Sequence, residues 1–215
     1  MNPPFPEYTS AERSADFCIH VLGITGSAIA VAVMLWMAIG TLPTSSAVSL
    51  SVYSAGVVAV FVCSAAYNMV SHHGLKGILR RVDHAAIYVK IAATYTPFAA
   101  IKIGGLAGGG LLTLVWSVAA FGLTLKLLFP ERLMKTSYVL YLAQGWAAVL
   151  VLNPLVTSLS TLSLAMLGIG GVLYTTGVIF HLWQSLKYHN AIWHGFVVCG
   201  SGCHYVAVMD AVVLV

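Results

Sequence analysis

The sequence predicts an all-α, polytopic membrane protein, a bundle of seven transmembrane helices. Charged residues make up 7% of the 215 residues and hydrophobic residues 60%, whereas an ordinary soluble domain has about 25% charged residues. The apolar residues also stand in long runs, and the run at 19–37 contains one His and no other ionisable group. This composition excludes a soluble enzyme, a disordered chain and a conventional nucleic-acid binder.

The length of the apolar runs decides between helices and a β-barrel. A spanning helix needs about 20 mostly apolar residues, whereas a spanning strand needs about 10 residues of alternating polarity. The runs are long and do not alternate, which favours helices. The predicted spans are residues 17–40, 47–70, 83–101, 107–128, 136–154, 160–183 and 190–213. Because they fill most of the chain, we expect a single domain over residues 1–215.

Turn residues and caps mark the ends of these spans. Residues 9–12 (TSAE) match a capping box, which predicts that the first helix begins there. Residues 76–82, before the third span, form either a basic loop or a short interfacial helix. Pro97 lacks an amide hydrogen and should kink the third span. Breaks are predicted at Pro43, at Gly104 with Gly105, at Pro130, and at Asn153 with Pro154.

The distribution of the cations predicts the orientation of the bundle. Eight of the ten Lys and Arg residues fall on the side of the N-terminus, Lys102 falls on the other side, and Lys90 lies inside the third span. Cytoplasmic loops carry an excess of Lys and Arg. We therefore expect a cytoplasmic N-terminus, a C-terminus outside the cytoplasm, and contacts with anionic lipid headgroups. The cations are spread over short loops, so no nucleic-acid partner is expected. The oligomeric state is left open.

Polar side chains inside the spans mark a candidate functional site, because ionisable groups are costly in a bilayer. Asp16 and His20 are spaced i,i+4 on the first helix, and Lys90 follows Asp83 by seven residues on the third. Several helices thus bring polar groups to one depth. The topology assigns these polar residues to the cytoplasmic half of the membrane or its boundary: Asp16, His20, Ser64, Asn68, Asp83, His181 and His194.

Three interpretations of this polar cluster are open. Imidazole and carboxylate groups could ligate Zn²⁺, which lowers the pKa of a bound water, while a second carboxylate takes the proton. The cluster could instead relay protons or ions without a metal. It could also consist of hydrogen bonds between helices, each contributing about 1 kcal/mol.

Several sequence blocks in this order resemble the hemolysin III family, the bacterial branch of the progestin and adipoQ receptor superfamily, which is related to alkaline ceramidases. The resemblance implies seven helices, a cytoplasmic N-terminus and a bacterial inner membrane. The blocks are DFCIHVLG at 16–23, SAAYN at 64–68, LRRVDHAAIY at 79–88, IAATYTPF at 91–98 and NAIWHGFVV at 190–198.

The resemblance implies a zinc site near the cytoplasmic side, with one His from helix two, two His from helix seven and a supporting Asp from helix three. Carried over by position, these fall on Asn68, Asn190, His194 and Asp83, and a further matching position falls on Ser64. Two of the three His positions are therefore Asn, whose amide oxygen is a poor zinc ligand beside imidazole. Two other histidines are candidate substitutes: His189, which is adjacent to Asn190 but rotated by about 100° on an ideal helix, and His20 on the first helix. The predicted catalytic residues are Asp83 and Ser64, and the predicted metal ligands are His194, Asp83, Asn68, Asn190 and His20.

Three functions are compatible with these observations. The chain could be a metal-dependent hydrolase that acts on a lipid amide or ester. It could be a non-enzymatic pore-forming, cytolytic or channel-like protein. It could also be a receptor-like protein that binds a lipid without cleaving it. Membrane lipids are the expected partners in each case.

Overall fold

The computed structural model describes residues 8–70, 72–128 and 134–214, and within them the regular structure is entirely helical. A π-helical segment, Phe98–Ile103, continues α3, and a second, Met209–Val213, continues α8. A 3₁₀ segment, Ala147–Val151, joins α5 to α6. The α-helices are α1 (Ser10–Ala38), α2 (Thr44–Met69), α3 (His73–Pro97), α4 (Gly105–Leu128), α5 (Met134–Gly145), α6 (Leu152–Ser158), α7 (Thr161–Leu182) and α8 (His189–Val208).

Six helical segments of the described chain are long and apolar enough to cross a membrane. They confirm an α-helical membrane protein and coincide with six of the seven predicted spans. The remaining predicted span, 83–101, falls in α3 and its π-helical continuation. Arg80, Arg81, Asp83 and Lys90 lie in the middle of α3 and make it too polar to qualify by composition. The six segments are Ser10–Ala38, Thr44–Met69, Gly105–Leu128, Thr136–Ser158, Thr161–Leu182 and His189–Val213.

Two predicted boundaries are corrected by the structure. Residues 76–82 are neither a loop nor a separate helix, because α3 already begins at His73 and continues through them. Arg80 lines the interior of the bundle, whereas Ile78 is exposed, so the polar and apolar faces of one helix explain the mixed composition. The break predicted at Pro154 is also wrong, because Pro154 lies in the first turn of α6. Amides of a first turn have no partner within the helix, so proline is tolerated there.

The predicted cap of the first helix is confirmed. Thr9 caps α1, and Thr9 and Glu12 form the reciprocal capping box. Glu12 Oε1 also accepts a hydrogen bond from the Tyr188 amide at 3.1 Å, which ties the start of α1 to the start of α8. At Pro97 the regular α-helix ends and the π-helical segment begins, consistent with the loss of a backbone donor.

Glycines allow the helices to pack closely around α3. At Gly56 on α2, a Cβ atom would lie 2.5 Å from the Ala93 Cβ of α3. At Gly122 on α4, a Cβ atom would lie 2.5 Å from the Tyr88 ring, also on α3. Small residues of this kind let membrane helices approach each other. As a result α3 lies between α2 and α4, while α1 packs against both α2 and α8.

Candidate metal centre and internal cavity

Three helices position the central group of polar side chains. Asp16 and His20 are one turn apart on α1 and therefore share a face. His194 faces them from α8, and Ser64 approaches from the end of α2. Asp16, His20 and His194 are 6%, 3% and 8% exposed. The centre is thus withdrawn from solvent and is built from segments at opposite ends of the sequence.

Asp16, His20 and His194 could hold a metal ion. Each offers one ligand atom, and these atoms all lie within 4.8 Å of one another. Asp16 Oδ2 and His20 Nε2 are 3.4 Å apart, which matches the roughly 3.4 Å between two ligands that each lie about 2.1 Å from a tetrahedral zinc ion. His20 Nε2 is buried without a hydrogen-bond partner. A buried imidazole nitrogen without a hydrogen bond is a suitable donor for a metal.

Ser64 lies on the other side of His194. Its Oγ is 3.3 Å from His194 Nε2, while His194 Nδ1 is 2.6 Å from Asp16 Oδ1. Both ring nitrogens of His194 are therefore engaged by neighbouring side chains. Asp83 on α3 is buried and interacts with the Ser64 hydroxyl. The predicted catalytic pair, Ser64 and Asp83, thus adjoins the centre, although Asp83 is outside the group of three converging ligands.

The two asparagines at the positions of the expected histidines form a hydrogen-bonded pair. Asn190 Nδ2 donates to Asp16 Oδ2 and to Asn68 Oδ1, both at 3.1 Å. Asn68 Nδ2 in turn donates to the Ser64 carbonyl at 2.9 Å. The structure brings both asparagines to the centre, where they orient Asp16 and the end of α2. The oxygen of Asn68 is already used as an acceptor.

Asp16 is the member of the centre that the predicted site omits. A signal for it was present, because Asp16 and His20 are the i,i+4 polar pair of the first span. The resemblance supplied ligand positions on helices two, three and seven only. The contact of α1 with α8 is what brings Asp16 to His194.

The centre opens into an internal cavity of about 1250 Å³. This volume exceeds that of pockets for drug-sized molecules, which occupy about 300–1,000 Å³. Tyr8 lines the cavity near its polar end, and burial raises the pKa of its phenol to about 12, which keeps it neutral. The apolar part of the wall includes Ile91, Phe98, Leu142, Leu155, Leu164 and Leu167.

Comparison with known proteins agrees with the family that the sequence blocks predict. A family model described as haemolysin-III related matches residues 11–205. The chain belongs to the haemolysin III family. It is 34% identical over 202 residues to the hemolysin-3 homolog of Bacillus subtilis (strain 168), covering 94% of this chain and 95% of that protein.

Other haemolysin III relatives extend the comparison. The hemolysin-3 of Bacillus cereus is 32% identical over 198 residues, covering 92% of this chain and 90% of that protein. The human monocyte to macrophage differentiation factor is 31% identical over 166 residues, covering 73% of this chain and 67% of that protein. No solved structure matches the chain significantly. The predicted family is therefore confirmed by proteins that match nearly the whole chain.

Proposed function

We propose that this haemolysin III protein is an intramembrane, zinc-dependent hydrolase of a lipid amide or ester. The observation that carries the proposal is the convergence of Asp16, His20 and His194 at one end of a large cavity. A carboxylate with two imidazoles is a donor set typical of catalytic zinc, which keeps one position open. The buried Nε2 of His20, which makes no hydrogen bond, fits this assignment.

Asp16, His20 and His194 would hold the metal in this proposal. A bound zinc ion supplies Lewis acidity, which polarises a carbonyl group and lowers the pKa of water. Asn190 holds the Asp16 carboxylate in position through its amide, at 3.1 Å. Asp83 lies beside Ser64 and is the candidate proton acceptor. The Ser64 hydroxyl, 3.3 Å from His194 Nε2, is a candidate donor to the polar part of the substrate.

The cavity supports a lipid as the substrate. Its lining includes the polar groups around Asp16 and many leucine, isoleucine and phenylalanine side chains. An acyl chain entering this cavity would leave its amide or ester group near the polar centre. Because apolar walls exclude water, the electrostatic effect of the buried centre on a reacting group is strengthened.

We also propose that α3 crosses the membrane, which makes seven spans. α3 is flanked by α2 and α4, and its polar residues Asp83 and Lys90 line the cavity instead of facing lipid. A helix sheltered in this way does not need the composition of a lipid-exposed span. Seven spans and the distribution of Lys and Arg together support a cytoplasmic N-terminus, with the protein in a bacterial inner membrane.

Metal analysis of the detergent-purified protein tests the proposed centre. The wild-type protein and a His72→Ala control, which removes an exposed histidine outside the centre, should contain stoichiometric zinc. His20→Ala and His194→Ala should lose it. Incubation with N-acyl and O-acyl lipids should release fatty acid only with the zinc-loaded protein. Zinc retained by both centre variants would overturn the metal assignment, and lipid retained without turnover by the zinc-loaded protein would overturn the hydrolase assignment.

A further inference from the structure

A second polar group lies deeper in the cavity, away from the candidate metal centre. Lys90 is 4% exposed and lines the cavity wall. It follows Asp83 by seven residues on α3, which is about 10 Å along a helix axis. The two residues are therefore on similar faces of α3 at different depths. This separation makes Lys90 part of another site.

Lys90 has a neutral partner and no ionic one in the described part of the chain. Its Nζ donates a hydrogen bond to the Tyr174 hydroxyl and lies 4.1 Å from the centre of that ring. The Tyr174 hydroxyl is also hydrogen-bonded to Ser201 Oγ at 2.6 Å. No described Asp or Glu carboxylate lies at ion-pair distance from Lys90. A buried ammonium group without a counter-charge is costly, both in proteins and in membranes.

The surroundings of Lys90 are shaped by two close approaches between α7 and α8. A Cβ atom at Gly200 would lie 2.8 Å from the Tyr174 ring, and a Cβ atom at Gly170 would lie 2.4 Å from the His204 ring. Tyr174 and His204 also contact each other, with ring centroids 5.4 Å apart. Gly200 thus leaves room for Tyr174, and Gly170 leaves room for His204. Both side chains line the cavity beside Lys90. His204 Nδ1 is buried without a hydrogen-bond partner.

These features define the chemistry of a ligand. One ammonium group balances one negative charge, and a lysine binds as a point charge rather than as a bidentate fork. A carboxylate carries one charge, whereas a phosphate monoester carries between one and a half and two. Phe98, Leu155 and Leu167 line the same cavity, so an apolar tail would be buried with the charged group.

We infer that Lys90, together with Tyr174, binds the carboxylate of a single-chain amphiphile inside the cavity. The ammonium group of Lys90 supplies the counter-charge, and the Tyr174 hydroxyl orients the ammonium from the side of α7. The site stands apart from Asp16, His20 and His194. It therefore does not depend on a bound metal or on lipid hydrolysis.

Binding of radiolabelled palmitic acid to the detergent-purified protein tests this inference. The wild-type protein should bind palmitic acid at least tenfold more tightly than hexadecanol, which has the same tail without the charge. Lys90→Met and Lys90→Gln should each lose at least tenfold in affinity for palmitic acid, while Lys90→Arg should retain most of it. Lys102→Met, a control in the π-helical continuation of α3 and outside the cavity lining, should bind like the wild type.

Further measurements separate a loss of the Lys90 site from misfolding and from a loss of the metal centre. Variants that elute as folded protein in size-exclusion chromatography are compared, and Lys90→Gln serves if Lys90→Met does not fold. Zinc content should be unchanged in Lys90→Gln, and palmitic acid should still bind to His20→Ala. The Lys90 site and the metal centre can therefore be overturned independently of each other. A folded Lys90→Gln variant with wild-type affinity, equal binding of hexadecanol, or tighter binding of hexadecyl phosphate would overturn the assignment.

Discussion

The carboxylate of Asp16 on α1 contacts the imidazole of His194 on α8, with Oδ1 and Nδ1 2.6 Å apart. The other oxygen of Asp16 accepts a hydrogen bond from Asn190 and lies 3.4 Å from His20 Nε2. Asp16 is thus one of the residues through which α1 and α8 are joined, together with Glu12. It is also the residue on which both histidines of the candidate metal centre converge.

Restoring the histidines that the family pattern expects should rescue metal binding. Asn190 contacts Asp16, and Asn68 contacts Asn190, so imidazoles at both positions would supply two nitrogen ligands near His194. We expect His20→Ala to lose zinc and the triple variant His20→Ala, Asn68→His, Asn190→His to recover it, as measured by elemental analysis. A folded triple variant without zinc would show that these two positions cannot replace His20.

The amide of Asn190 should support metal binding without being a ligand. Removing a group that orients a metal ligand typically lowers metal affinity by about 10–100-fold. Asn190→Leu, which removes the 3.1 Å hydrogen bond to Asp16, is expected to fall in this range in a zinc competition titration. Asn153→Leu changes an exposed asparagine on α6, outside the centre, and should leave the zinc affinity unchanged. Equal affinities of the two variants would mean that Asn190 does not hold Asp16 in place.

The close packing of α4 on α3 should depend on Gly122. A methyl group there would collide with the Tyr88 ring, and overpacking of this kind typically costs about 1–3 kcal/mol. Gly122→Ala should therefore lower the thermal unfolding midpoint in detergent. Gly110→Ala is the matched control on α4, because nothing lies within 4 Å of its Cβ position. The packing model fails if Gly122→Ala is as stable as Gly110→Ala.

The number of spans should be visible in the location of the two termini. If α3 crosses the membrane, an odd number of crossings puts the N-terminus and the C-terminus on opposite sides. A green fluorescent protein fused to the N-terminus should fluoresce in the cytoplasm, and alkaline phosphatase fused to the C-terminus should be active outside it. Six crossings would instead give both termini the same location.

Much of the fold could be predicted from the sequence, because long apolar runs bounded by turn residues have few alternatives in a membrane. The predicted span 107–128 differs from α4 by two residues at its start. The predicted start of the third span lies about ten residues after the start of α3. The cations in the first part of α3 were interpreted as lying outside the span. In the structure Arg80 lies on the inner face of a continuous helix, and a single sequence does not reveal which face is sheltered.

The candidate site was predictable only in part. The depth of the polar residues along each helix follows from their position in the spans, which is why Ser64 and His194 were predicted, whereas Asn190 was predicted only from the family resemblance. The rotation of one helix against another does not follow from position. Asp16 and His194 are 178 residues apart, and only the packing of α1 on α8 brings them into contact. Tyr174 and Ser201 gave no signal, since a tyrosine and a serine in apolar helices are common packing residues.

The most direct test of the metal centre is a crystal structure of the purified protein with anomalous diffraction data collected on both sides of the zinc absorption edge. The proposed centre predicts one anomalous peak, bounded by Asp16, His20 and His194 and present only above the edge. A well-ordered centre without that peak, or a peak held by other residues, would contradict it.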